Sequence, residues 1–110
     1  MFFSILCTDK PGPEAAALRA AHLQAHTDYL MERLDRIVWA GAQQHKTVPK
    51  GSFYLIVAET EQEAHAFADE DPFAVAGLFE AVVVTEVRRG IFQPVLALGA
   101  DPNAKTGKNR

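Results

Sequence analysis

A chain of 110 residues is enough for one domain with a single modest core, and a hydrophobic content of 48% excludes a disordered polymer. A formal charge of −3 supplies no basic field, so nucleic acid is not an expected partner. Cys7 is the single cysteine, which excludes an internal disulfide, and its apolar neighbours predict a buried, inert thiol.

The N-terminal run MFFSILCTDK has no leading positive charge and meets Asp9 too early for a signal peptide. No apolar stretch is long enough to span a bilayer. The expectation is a soluble cytoplasmic protein with no membrane partner. Phe2 to Cys7 reads as a first strand with both faces nearly apolar, and Asp9-Lys10-Pro11-Gly12-Pro13 as a turn. Glu14 to about Asp35 reads as a long helix. Ala16, Ala20, Leu23, Thr27, Leu30 and Leu34 step by four and three, which stacks them into the predicted core face. Arg19, His22, His26, Tyr29 and Arg33 line one flank of that stripe, His26 closer to it than His22.

Arg36 to Ala42 reads as a second strand anchored by Trp39, and the polar Gln43 to Gly51, with Pro49 inside it, as a loop. Ser52 to Glu59 reads as a third strand, with Phe53, Leu55 and Val57 on one face and Tyr54, Ile56 and Ala58 on the other. Thr60-Glu61-Gln62-Glu63 is a capping box, in which the threonine hydroxyl and the glutamate satisfy free amides at a helix start. A short helix then runs to about Glu70 and buries Ala64, Phe67 and Ala68. Asp71 directly precedes Pro72, which biases it out of the α region. Ala81 to Val84 is apolar and mostly β-branched, and it reads as the buried part of a fourth strand from Glu80 to about Arg88. Residues 1–93 form the predicted domain. Residues 94–110 read as an extension in which Val95 to Leu98 pairs or docks and the last ten residues are a mobile tail.

The order β-α-β-β-α-β predicts an α+β fold, the ferredoxin-like plait with two helices on one face of a four-stranded antiparallel sheet. Two helices cover only one face, yet three strands are apolar on both, where a half-exposed sheet should alternate. The predicted cover for the open face is a second copy, giving a homodimer packed sheet to sheet. The alternative is that the C-terminal segment folds back over that face.

Four histidines are present. His45 in its polar loop and His65 in the short helix are expected to be solvated. His22 and His26 stand one helical turn apart, but a metal site needs at least a third ligand, for which Asp71 is the candidate; no metal is expected. A histidine titrates near neutrality, and a carboxylate beside it would orient the ring, so His26 with Asp71 forms a candidate acid/base pair. Spacing alone leaves open the structural alternative, in which His26 is a border residue and Asp71 closes a turn. Gly51-Ser52 lacks the nucleophile-elbow pattern. There is no glycine-rich phosphate loop, and no cofactor is implied. Trp39 and Tyr54 read as core.

Several short motifs occur in a telling order. They are Asp9-Lys10-Pro11-Gly12, Leu18-Arg19, His26-Thr27-Asp28-Tyr29-Leu30, Ala40-Gly41, Gly51-Ser52, and Asp71-Pro72-Phe73 followed by Ala76-Gly77-Leu78-Phe79. From Met1 to about Phe92 this order resembles the YCII-related family. The resemblance implies a dimeric α+β barrel, a histidine–aspartate dyad in a cleft near the dimer interface, and the dehydrohalogenating lyase activity attributed to some relatives. The dyad carries over onto His26 and Asp71. An arginine that often stands three residues before the family histidine is Leu23 here, and the proline beside it is Gln24. Shifting the alignment by one turn would make His22 the family residue with Arg19 ahead of it, but the ungapped run to Tyr29-Leu30 and Ala40-Gly41 favours His26. The resulting expectation is a small cofactor-free enzyme of lyase or isomerase type. His26 would act as general acid/base on a small aromatic or enol-type ligand, Asp71 would orient it, and Arg19 and Phe73 would contact the substrate. The alternative is a non-catalytic ligand-binding or interaction module that keeps the fold.

Overall fold

In the computed structural model, which describes residues 1–99, the chain runs β1 (Phe2–Asp9), α1 (Pro13–Met31), a 3-10 turn (Leu34–Arg36), β2 (Ile37–His45), β3 (Val48–Val57), α2 (Glu61–Glu70), α3 (Pro72–Val75), β4 (Phe79–Val87) and α4 (Pro94–Ala97). The strands pair antiparallel in the order β2-β3-β1-β4. This is the ferredoxin-like plait. The expected tail over the last ten residues lies outside the described residues.

The register explains the core. Phe3, Ile5 and Cys7 of β1 lie opposite Ile56, Tyr54 and Ser52 of β3, so all six share one face, and all six are buried. Tyr29 from α1 and Ala64, Phe67 and Ala68 from α2 close over them. Each fully buried large apolar side chain contributes about 1.5–3 kcal/mol relative to an exposed one. The capping box starts α2 as expected: Glu63 N–H donates to Thr60 Oγ1 at 3.1 Å. The Glu63 carboxylate reaches one residue further back than the motif prescribes, accepting from Glu59 N–H at 3.1 Å.

Four expectations need correction. The first is the inward face of α1. Ala16, Ala20, Leu23 and Thr27 are exposed, while Ala15 and Tyr29 are buried and Arg19, His22, His26 and Arg33 are half-buried. The predicted flank faces inward because it has more to gain there. Alanine and threonine offer little area, whereas the Tyr29 hydroxyl donates to Phe67 C=O at 2.9 Å and carboxylates await Arg19 and His26 beneath the helix. Helix α1 also ends at Met31, with the 3-10 turn taking up Leu34–Arg36.

The second correction concerns Gln43 to Gly51, predicted as a loop. It is a hairpin: β2 and β3 run on to a two-residue turn at Lys46 and Thr47, whose φ of 51° and 70° supply the handedness that such turns need. Pro49 is tolerated because β1 pairs with β3 only from Gly51 onward, so no neighbour on that side requires its missing N–H. Third, Ala81, Val82 and Val83 are exposed: Ala81 and Val83 lie opposite Thr8 and Leu6 on the open face, and β4 is an edge strand. Fourth, among the described residues the C-terminal segment folds back over one end of the open face only. Ile91, Phe92 and Leu96 share an apolar cavity with Val38, Trp39 and Leu55, while Leu6 and Val83 stay uncovered at 42% and 55% exposure.

Candidate active site

Asp71 is the hub. It ends α2 and begins α3 in an extended conformation, φ −59° and ψ 129°, as a residue before proline should. Its side chain is fully buried. Oδ1 accepts the Phe73 N–H at 2.9 Å and lies 2.8 Å from His26 Nδ1, and Oδ2 accepts the Tyr54 hydroxyl. A buried carboxylate is stable only when its lone pairs are so engaged. The segment after it is pinned in turn. Gly77 takes φ 81°, which favours glycine, and this brings Leu78 N–H to Phe73 C=O at 3.1 Å and Leu78 C=O to Lys10 N–H at 2.9 Å.

An ionised Asp71 can only accept, so the hydrogen bond assigns the proton to His26 Nδ1 and leaves Nε2 with the lone pair in the neutral ring. The imidazole stacks on Phe73, centroids 4.0 Å apart and planes 13° from parallel. Burial first, and then the charge and hydrogen bond of Asp71, push the Tyr54 hydroxyl far above its usual range, so it stays a donor. Burial, reinforced by Asp71, pushes the Cys7 thiol up to about 12. It is inert.

A second polar cluster lies beside the first. Arg19 grips Asp9 through two bonds, Nε to Oδ2 at 2.6 Å and Nη2 to Oδ1 at 3.0 Å, and Nη2 also reaches Ser52 Oγ at 3.1 Å. Its guanidinium sits 5.0 Å from the centre of the Phe73 ring. Arg19, His26, Ser52 and Phe73 all line one cavity of about 340 Å³. Leu23, Leu30, Met31 and Leu34 wall it on the α1 side, and Ala40, Gly41 and Ala42 of β2 form a low opposite side. Leu23, Leu30 and Leu34 of the apolar stripe therefore wall a cavity, with Leu30 also packing against the core.

The structure thus brings His26, Asp71, Arg19 and Phe73 together. His22 is half-buried one turn earlier on α1 and lies outside the lining of this cavity. His45 and His65 are exposed, the latter 3.3 Å from Glu61 in the same helix. Among the described residues no group of three or more His, Cys, Asp or Glu could hold a metal ion. Leu23 stands at the cavity wall, and Arg19, two turns before His26, delivers a guanidinium into the same cavity. Sequence reasoning missed Ser52 and Asp9, and it read Tyr54 as core without its hydrogen bond to Asp71. A usable signal existed for Tyr54: it shares the inward face with Ile56, and a buried phenol needs a hydrogen-bond partner.

A model of the YCII-related domain matches residues 1–88. The chain belongs to the YCII-related domain family. Among solved structures, this YCII-related chain is similar to 5-chloro-2-hydroxyhydroquinone dehydrochlorinase (TftG) from Burkholderia phenoliruptrix AC1100, in complex with 2,5-dihydroxybenzoquinone. The two are 32% identical with a TM-score of 0.74, and the match covers 82% of this chain and 96% of that one. An antibiotic biosynthesis monooxygenase matches at 10% identity and a TM-score of 0.50, over 81% of this chain and 100% of the other, a likeness of fold alone. No curated protein matches the chain. No helix among the described residues is long and apolar enough to cross a membrane.

Proposed function

We propose that the protein is a small acid/base enzyme of lyase type, acting on a planar, hydroxylated ring or enol held in the cavity beneath α1. The observation that carries this reading is the 2.8 Å contact between His26 Nδ1 and a fully buried Asp71, with the imidazole lining the cavity. His26 Nε2 takes a proton from the substrate. The electron pair released moves into the substrate's π system, and a leaving group departs with a pair of its own. Asp71 holds the tautomer and offsets the charge of the imidazolium that forms. Arg19 and Ser52 supply polar contacts at the cavity base and Phe73 an aromatic one, while the aliphatic wall limits water. The likeness to a dehydrochlorinase supports elimination over isomerisation.

The test uses that relative's chemistry. Release of chloride from 5-chloro-2-hydroxyhydroquinone is followed for the native protein, His26→Gln and Asp71→Asn, and 2,5-dihydroxybenzoquinone is tried as a stabilising ligand in thermal melts. The expected result is loss of turnover in both variants, by about 100-fold or more. Unchanged turnover in both variants rejects the dyad. Stabilisation by the quinone with no turnover in the native protein favours the second reading, a non-catalytic ligand-binding module. The engagement of Arg19 by Asp9 and Ser52 is the observation that keeps that reading alive, since together they occupy three of the guanidinium's five donors.

The open sheet face supports a companion proposal, a homodimer packed sheet to sheet. Leu6, Trp39, Val57 and Val83 are all exposed there, more apolar side chains than a solvated sheet face should carry.

A further inference from the structure

We infer that Tyr54 is a positioning residue of the site: its hydroxyl fixes the Asp71 carboxylate, and through it the tautomer of His26, while remaining out of the substrate's reach. This rests on the dyad reading above and extends it by one residue. Tyr54 is the largest fully buried side chain among the described residues, and it is absent from the lining of the cavity. Its hydroxyl is nonetheless spent on Asp71 Oδ2, the one carboxylate oxygen that His26 and the Phe73 N–H leave free. A carboxylate turns about its Cβ–Cγ bond, so His26 and Phe73 on Oδ1 alone would leave that rotation loosely held. A donor on Oδ2, carried by a strand, defines the plane. With the plane defined, Oδ1 faces Nδ1, and the ring is held with its proton on the nitrogen away from the substrate.

Apart from Ser52, whose side chain also acts on its hydroxyl, the surroundings give the tyrosine no other polar task. Phe67 meets its ring edge-on at 5.6 Å between centroids, and the His26 ring lies 6.2 Å away. The titratable and charged groups that face this hub are Cys7 and Asp9 on β1, Arg19, His26 and Tyr29 on α1, and Tyr54 on β3. Of these, only His26 and Tyr54 are hydrogen-bonded to Asp71 through their side chains. Ser52, two residues before Tyr54 on the same face, joins this group to the Arg19–Asp9 pair, so β3 carries the link between the two polar clusters.

The test reads the histidine directly and needs no substrate. Ring nitrogen spectra of ¹⁵N-histidine-labelled protein report which nitrogen of His26 carries the proton, for the native chain, Tyr54→Phe and Asp71→Asn. The native chain is expected to show Nδ1–H. Tyr54→Phe keeps the ring and loses the donor; its His26 is expected to become a mixture of tautomers, with faster solvent exchange of the Nδ1 proton by about tenfold or more. An unchanged His26 signal in Tyr54→Phe overturns the inference, because a space-filling tyrosine predicts that result. Asp71→Asn separates the two levels. If it too leaves Nδ1–H in place, the dyad reading falls; if it alone disturbs the tautomer, only the role of Tyr54 falls. Should Tyr54→Phe fail to fold, 3-fluorotyrosine incorporated in a Tyr29→Phe background keeps the hydroxyl and makes it a stronger donor. The Nδ1 proton resonance is then expected to move upfield as Asp71 accepts less from His26, and an unmoved resonance again overturns the inference.

Discussion

Beneath α1 and α2 a carboxylate, a serine and a tyrosine are buried, whereas on the other side of the same sheet Leu6, Trp39, Val57 and Val83 stand 42–55% exposed. Polarity alone would have put these groups the other way round. The difference shows that burial follows partners. Asp71 has three hydrogen-bond donors and Asp9 a bidentate arginine, so neither pays the cost of an unpaired polar group. Among the described residues the apolar groups of the open face have no element, beyond the C-terminal segment at one end, to take them out of water.

The comparison can be broken most severely at Asp71. Asp71→Ala strands the Tyr54 hydroxyl and the Phe73 N–H in the interior, and a loss of about 3–5 kcal/mol in urea denaturation is expected. A loss below about 1 kcal/mol would mean that the polar hub does not hold the covered face together. Next comes Gly51, which opens the inner run of β3. A Cβ there would stand 2.1 Å from Cys7 C=O, so Gly51→Ala must displace backbone, and about 1–3 kcal/mol should be lost in the same measurement. Alkaline pH probes the covered face without a substitution. The folded Cys7 thiol holds its proton up to about 12, against 9.0 for the ordinary thiol, and Tyr54 is shifted in the same direction. Above pH 9 the unfolded chain gives up protons that the folded chain keeps, so stability falls as pH rises from 9 toward 12 and is insensitive to these groups below 9. A urea midpoint that rises over that window would contradict the sign.

The open face should respond in the opposite sense. Val83→Lys is expected to change monomer stability by no more than about 0.5 kcal/mol, yet to halve the mass seen by light scattering if a second copy covers this face. A native protein already monomeric at micromolar concentration would overturn the sheet-to-sheet dimer. The smallest effect belongs to the solvated pair His65–Glu61, whose removal by His65→Ala should cost less than about 0.5 kcal/mol.

Much of this architecture was legible in the chain. Period-two alternation in Ser52 to Glu59, the capping box at Thr60 and the Asp71-Pro72 break each marked an element, and together they implied the plait. The motifs running from Asp9 to Phe79 indicated the family. The site was legible as four residues, His26 and Asp71 with Arg19 and Phe73, and the 45-residue separation of the first two becomes 2.8 Å through the fold. Where the reading failed, it failed by trusting apolarity. The stripe Leu23, Leu30 and Leu34 looked like core and walls a cavity. The run Ala81 to Val83 looked buried and lies on an edge strand. Gln43 to Gly51 looked like a loop because its side chains are polar, although its backbone pairs as a hairpin.

Local chemistry in the sequence therefore determined where elements start, stop and alternate, because capping, proline geometry and side-chain period act within a few residues. Only the tertiary structure decided which face of α1 turns inward and that Tyr54, Asp71 and His26 meet. Those outcomes depend on hydrogen bonds between residues far apart in the chain, and no window along the sequence contains both partners.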